Sequence, residues 1–580
     1  MKVIKATITI FFFSLITSFG IHSQTNIVST NTTAEEILQG NYNPNDYSPT
    51  INISAPSDVV NTIYNSINAD SIKSYLEVLS TFTNRNSGSD TVSTTFGIGA
   101  SRRWIYQKFE QFSAQNENRL VTSYLQFDRD ICGMNQHRNV FTVLPGTNNS
   151  EHQVIIIEGH FDSRCEDVCD VACDAHGMED NGSGTALVME LARVMGKLSL
   201  ENTIVFMATT AEEQGLYGAD AFADYALDNN IPIKAVFNND VIGGIICGET
   251  SSAPSCPGEN HIDSTQVRIF SGGSFNSPSK QLARFTKMEY KHELEQMVSV
   301  PMMISIMSAE DRTGRGGDHI PFRQAGFPAI RFTSANEHGN ASNGPDYHDR
   351  QHTTDDILGV DTEGDMILDS FFVDFNYLAR NTTINGNAVA MAAIGPKTPD
   401  FTISSFNEDI TVEITDQTQY NTYMLLIRSN MNDFDTVFTF SGSLTHTVSL
   451  PEDVYRASVC SVDEDEVESL FSREEFITTT VGVGEILEEK KGVELFQNRP
   501  NPFDEATTIS AFIENPQKYQ STYIVITDLT GKQVERIDFT AKKGINEVLY
   551  NHGYKKVGTF SYTLYLNNKP FQTKKMVFAY

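Results

Sequence analysis

The sequence is short of positive charge. It holds 42 Lys and Arg against 74 Asp and Glu, a formal net charge of −32. That balance excludes nucleic acid or an anionic membrane surface as a natural partner. Tryptophan is almost absent: Trp104 stands alone, in a helical pattern with Ile105, Phe109 and Phe112 where core packing accounts for it. Beyond the first 23 residues no apolar run approaches the ~20 residues that cross a bilayer as a helix. The CxxC knuckle of structural zinc sites is missing too. Of the seven cysteines, Cys165, Cys169 and Cys173 recur at even four-residue steps. They are read as disulfide cysteines, with Cys132 as a further partner and the pairing left open. Cys247 and Cys256 flank a Gly/Ser/Pro-rich loop and are read as a local bridge. The odd count leaves at least one cysteine unpaired.

What is present begins with Met1–Ser23, two lysines, an apolar run and small residues, which reads as a cleaved secretory signal. The mature chain is then expected outside the inner membrane, where disulfides form, with no transmembrane segment once the signal is removed. Residues 24–56 are rich in Asn, Thr, Ser and Pro, lack a sustained period, and are read as a leader or linker. From Ser57 the period turns helical: Val59, Val60, Ile63 and Ile67, then Ile72, Tyr75, Leu76 and Leu79. A helix over 98–112 follows, then strands over 120–127, 139–144 and 154–158. Strands then alternate with helices as far as Phe332, which predicts an α/β fold, a mixed and mainly parallel sheet flanked by helices.

Composition shifts after about Ala392. Short β-type runs over 396–480 predict a small sandwich of fibronectin-type-III-like size. A charged linker leads to a last β-rich module over 495–580. From Leu495 onward eleven Lys and Arg stand against seven Asp and Glu, whereas 396–480 holds four against sixteen. The tail is a basic module on an acidic protein.

Three apolar runs, Val154–Glu158, Thr203–Thr209 and Lys234–Asn239, each lead into metal-binding residue types: His160, Glu212–Glu213 and Asp240. In parallel sheets ligands bind beyond the carboxyl ends of the strands. Asp180 opens the helix between the first two runs, and His352 comes later, with His348 close by; His352 is preferred. Taken singly, His160 reads as a buried structural histidine and the Glu–Glu pair as a solvated loop. Together they supply imidazoles, carboxylates and a candidate bridge for two divalent ions about 3.5–4 Å apart. The mixture of N and O donors suits zinc, and manganese or cobalt could also bind it. Asp162, two residues after His160, is placed to accept the other ring N–H. Of Glu212 and Glu213, one would bind metal and one would handle protons.

The set GHFDS, EDNGSG, TTAEEQGLYGA, NNDVIGG and RQHTTDD resembles the co-catalytic zinc aminopeptidases of the bacterial leucyl-aminopeptidase type, peptidase family M28, over about residues 57–392. The resemblance implies a zinc exopeptidase fold and two zinc ions acting on peptide substrates. It implies that Asp180 bridges, that His160 and Asp240 complete one ion and Glu213 and His352 the other, and that Glu212 is the general base. Asp318 and His319, in GGDHIPF, would line the substrate side, and Arg315 is a candidate for contacting the reacting carbonyl. Met178 and Glu179 depart from the family's usual alanine-rich approach to the bridging Asp, and the three-cysteine insertion departs as well. The tail, with LFQNRPNPFDEATTISAFI, VITDLTGKQV and GTFSYTLYL, resembles the C-terminal sorting domain of the type IX secretion system. That implies export through both membranes by that machinery, then release or attachment at the cell surface. Three other readings remain: a glutaminyl cyclase or a carboxypeptidase of the same fold, and a non-enzymatic surface binding protein.

Overall fold

The computed structural model describes residues 24–246, 261–273, 277–311, 315–335, 350–417, 419–429, 433–479, 492–503, 506–529, 531–552 and 557–579. The signal segment, Cys247, Cys256, His348 and nearly all of the charged linker lie outside the described residues.

The chain enters as β1 (Thr25–Ser29) and α1 (Thr32–Leu38). Three helices follow, α2 (Pro56–Ser66), α3 (Ala69–Ser80) and α4 (Gly97–Gln115). A long antiparallel pair comes next, β2 (Val121–Ile131) and β3 (Met134–Leu144). Then strands and helices alternate: β4 (Val154–His160), α5 (Ser183–Met195), β5 (Thr203–Thr209), α6 (Tyr217–Asp228) and β6 (Ile233–Asn239). The last part holds β7 (Gln266–Ser271), α7 (Pro278–Glu289), β8 (Met303–Ile306), α8 (His319–Gln324), β9 (Ala329–Ser334) and α9 (Phe375–Ile394).

The nine strands form one mixed sheet in the order β1-β2-β3-β5-β4-β6-β9-β7-β8. Its centre, β5-β4-β6-β9, is parallel, and the strands on the β1 side are antiparallel. The run Val154–Ile157 shows why it carries no polar alternation. Ile155 and Ile157 pack into the larger core with α2, α3, α4, α5, α7 and α9, while Val154 and Ile156 pack into the smaller one with α1, α6 and α8. Strand β5 divides the same way, Ile204 and Phe206 to one face and Val205 and Met207 to the other. A strand buried on both faces must be apolar at every position, and each such side chain contributes about 1.5–3 kcal/mol on burial.

One expectation is corrected. Residues 24–56 are not a detached leader. Thr25–Ser29 pairs antiparallel with β2, Ala34, Ile37 and Leu38 are buried in the smaller core, and the Tyr42 hydroxyl donates to the Gly146 carbonyl at 2.9 Å. An edge strand with one open face has little need of an apolar period, so composition does not reveal it.

Residues 401–478 form a three-stranded and a four-stranded antiparallel sheet, and residues 493–578 form another such pair. The first sandwich is seated on α7. Leu426, Cys460, Val467 and Phe471 join the larger core, and Phe471 meets Phe285 edge-on at 5.8 Å. Buried charges cross the same junction. Arg284 of α7 lies 3.3 Å from Glu474, which takes a two-pronged grip from Arg428 at 2.5 and 2.6 Å. Arg456 continues the chain of charges to Glu547 of the tail module. Among the described residues no helix is long and apolar enough to cross a membrane.

Candidate metal centre

Strand ends build the site. His160 is the last residue of β4, opposite Thr209 of β5, and Asp240 follows β6 directly. Asp180 sits in the tight turn before α5. That turn must press against the β6 end, and a Cβ on Gly184 would lie 2.1 Å from the Asn239 carbonyl oxygen. Only glycine permits the approach. Asn181 stitches it, donating to the Asn239 carbonyl at 2.8 Å and accepting from Gly184 N at 2.9 Å. Glu179 does more than favour a helix end, because its carboxylate accepts Gly244 N at 2.6 Å and ties down the chain after β6.

His160, Asp180, Glu212, Glu213, Asp240 and His352 converge from these separate elements. His160 Nε2 is buried, makes no hydrogen bond, and lies 3.1 Å from Asp180 Oδ1, 3.4 Å from Asp240 Oδ1 and 4.0 Å from Glu212 Oε2. His352 Nε2 lies 3.0 Å from Asp180 Oδ2 and 3.2 Å from Glu213 Oε2. Asp180 therefore presents one oxygen to each imidazole. Two donors on one tetrahedral zinc, with bonds of 2.0–2.1 Å, are about 3.3 Å apart. The observed spacings match that edge, so the donor set fits two ions with Asp180 between them.

Charge in the cluster is unbalanced. Burial works against a charge on His160, yet Glu212, Asp162, Asp180 and Asp240 hold its pKa well above the ordinary value. Burial, joined by Asp240, Glu213 and Asp318 against the pull of His160, raises Glu212 well above the carboxylate range. Burial also opposes charge on Asp180, but His160 and His352 outweigh it and hold its pKa well below the usual value.

Several residues support the cluster from outside. Asp162 was expected to accept the His160 ring N–H. Its backbone carbonyl takes that position at 3.1 Å from Nδ1, with its carboxylate at 3.6 Å. The carboxylate is occupied by the backbone N–H groups of Glu212 and Glu213, both at 3.3 Å, and so fixes the Glu–Glu turn. Asp356 accepts Glu179 N at 2.8 Å and Asp180 N at 3.0 Å, which links the His352 segment to Asp180. Arg85, fully buried, donates to the Phe161 and Gly177 carbonyls at 2.7 and 2.9 Å and closes the loop between His160 and Asp180.

A cavity of about 270 Å³ opens over the cluster, and Arg315 lies on its wall with Arg164 and Arg331. The expectation for Asp318 and His319 is corrected. Both are fully buried and off the wall. Asp318 immediately precedes α8 and accepts the Thr209 hydroxyl, while His319 Nε2 meets the Glu310 carbonyl at 3.0 Å, so both brace the floor. The three-cysteine insertion is stapled by Cys132–Cys169 and Cys165–Cys173, and Cys460 is free and buried among the described residues.

A family model described as peptidase family M28 matches residues 139–363. A probable zinc metalloprotease of Leptosphaeria maculans is 34% identical over 343 residues, covering 57% of this chain and 75% of that protein. Another from Pyrenophora teres f. teres is 29% identical over 412 residues, covering 68% and 82%. Among solved structures, the LapA aminopeptidase of Legionella pneumophila is similar over 58% of this chain and 74% of that one, at 19% identity and a TM-score of 0.42. The chain belongs to peptidase family M28.

Proposed function

We propose that the protein is an exported zinc exopeptidase, an aminopeptidase that removes N-terminal residues from peptides using two zinc ions. The observation that carries the two-metal reading is Asp180, with one carboxylate oxygen 3.1 Å from His160 Nε2 and the other 3.0 Å from His352 Nε2. His160 and Asp240 would complete one ion, Glu213 and His352 the other. Bound there, the ions would polarise the peptide carbonyl and acidify a water.

The chain's own residues do the rest. Glu212 lines the cavity with Oε2 4.0 Å from His160 Nε2, outside the two pairs assigned to the ions, and a carboxylate there suits a base that takes a proton from water and returns it to the leaving amine. Asp162 keeps Glu212 in place through its backbone N–H. Arg331 holds Asp240 from behind, with Nη2 3.2 Å from Oδ2, and is itself held by Asp311 at 2.8 Å.

Export is supported by the signal-like Met1–Ser23 and by two disulfides in one loop. The sorting-domain motifs of the tail support passage through the type IX machinery, followed by release or surface attachment. The test compares a short Leu-initiated peptide with its N-acetylated twin on zinc-loaded mature protein. Cleavage of the free peptide alone is expected. Cleavage of both would sink the aminopeptidase reading and leave a carboxypeptidase. Cleavage of neither, with cyclisation of an N-terminal glutamine, would replace it with a glutaminyl cyclase.

A further inference from the structure

Arg164 stands between the candidate metal centre and the stapled loop. It follows Ser163 and precedes Cys165, whose bridge to Cys173 closes the insertion, while Cys169 ties it to Cys132 at the β2–β3 turn. Hydrogen bonds fix the same loop from below, Asn84 to the Cys173 carbonyl at 2.9 Å and Asn86 to the Val168 carbonyl at 2.9 Å. Two covalent and two hydrogen-bonded anchors give Arg164 little freedom. Its side chain, 11% exposed, lines the cavity with Nε 3.0 Å from Glu213 Oε2 and Nη2 2.5 Å from His352 Nδ1.

The charges on this wall point to an anion. Two divalent cations would match the four lining carboxylates of Asp180, Glu212, Glu213 and Asp240. Arg331 already has Asp311. The Arg164 guanidinium then adds positive charge to the mouth, and Arg315, bonded to Gln351 at 2.7 Å, brings a second guanidinium to the same wall. The remainder of the described lining is Gly215, Leu216, Gly316, Gln351 and His352, which offers no further carboxylate. A guanidinium fork matches a carboxylate in two-pronged geometry.

We propose that Arg164 is a specificity residue that binds a carboxylate carried by the substrate, with the stapled loop holding it in register. The inference rests on the peptidase reading. The carboxylate would belong to the C-terminus of a very short peptide or to an acidic side chain next to the scissile bond.

The test uses the full zinc-loaded chain and four substrates: Leu-Gly, Leu-Gly amide, Leu-Glu amide and Leu-Gln amide. The wild type is expected to favour at least one carboxylate-bearing member over its neutral twin by about tenfold or more in kcat/KM, the scale of a charge-assisted hydrogen bond. Preference within the Gly pair identifies the C-terminus, and preference within the amide pair identifies the side chain. Arg164→Gln should erase the preference through KM, with zinc content per chain unchanged, and Arg164→Lys should restore part of it. Equal rates within both pairs, or an Arg164→Gln enzyme that keeps the preference whether or not it keeps its zinc, would overturn the proposal. If the wild type cleaves none of the four, the peptidase reading fails and takes this inference with it.

Discussion

Two places in the molecule bury clusters of charge, and they are built on opposite terms. At the junction of α7 with the first sandwich, Glu474 is met by Arg428 and Arg284. Burial opposes its charge, yet those arginines hold its pKa below the usual value. At the ends of β4, β5 and β6, four carboxylates crowd two imidazoles, and Glu212 is driven the other way. At Glu474 the junction answers its buried carboxylate with arginines of the chain itself. At the centre Arg164 stands beside Glu213 and Arg331 beside Asp240, yet Glu212 keeps its raised pKa, and such a cluster of perturbed groups in a cavity marks a candidate functional site.

The contrast breaks most sharply at Glu212. Glu212→Gln keeps the shape and removes the base, so kcat should fall by about 10²–10⁴-fold while zinc content is retained, measured by turnover alongside metal analysis. Glu474→Ala should do the reverse. It leaves two buried guanidiniums without their shared anion and should cost about 3–5 kcal/mol of stability, read as a lower unfolding midpoint. kcat/KM of the folded fraction should be unchanged.

Asp356→Asn tests whether the two tethers on Glu179 and Asp180 hold the Asp180 carboxylate in place. Zinc affinity should drop about 10–100-fold, the range for residues that orient ligands from behind, in a competition titration with a chelator. The smallest effect is expected at His292, whose Nδ1 lies 2.9 Å from Glu468 at the same junction. The Glu468 hydrogen bond raises its pKa against burial. The folded state then binds the proton more tightly than the unfolded one. This contribution is fully present below about pH 6.5 and fades as pH rises through the higher folded value. Urea midpoints of wild type and His292→Asn should therefore differ at pH 5.5 and converge as the pH climbs.

The centre was the legible part of the sequence because strand periodicity and donor chemistry coincide there. An unbroken apolar run such as Val154–Ile157 fits a strand buried on both faces, and the strand it starts ends at His160, at the edge where ligands bind in such sheets. The supports were hidden for a common reason. Asp356 lies among other aspartates, Arg85 sits in an Asn/Ser-rich stretch, and each acts on backbone groups nearly a hundred residues or more away. No local period records such a bond. Asp318 and His319 were expected on the substrate side, and the structure buries both beneath the cavity wall. A motif gives proximity, whereas the direction a side chain faces depends on where α8 begins and on the Thr209 hydroxyl beneath it. The edge strand Thr25–Ser29 was missed because its side chains are mostly exposed and its partner strand lies about a hundred residues on.

The central claim is that Asp180 stands between two metal ions. Crystals of the zinc-loaded protein, measured on both sides of the zinc absorption edge, test it directly. The account predicts two anomalous peaks flanking Asp180, one beside His160 and Asp240 and the other beside Glu213 and His352. A single peak at full zinc loading, or two peaks with Asp180 touching only one of them, would contradict it.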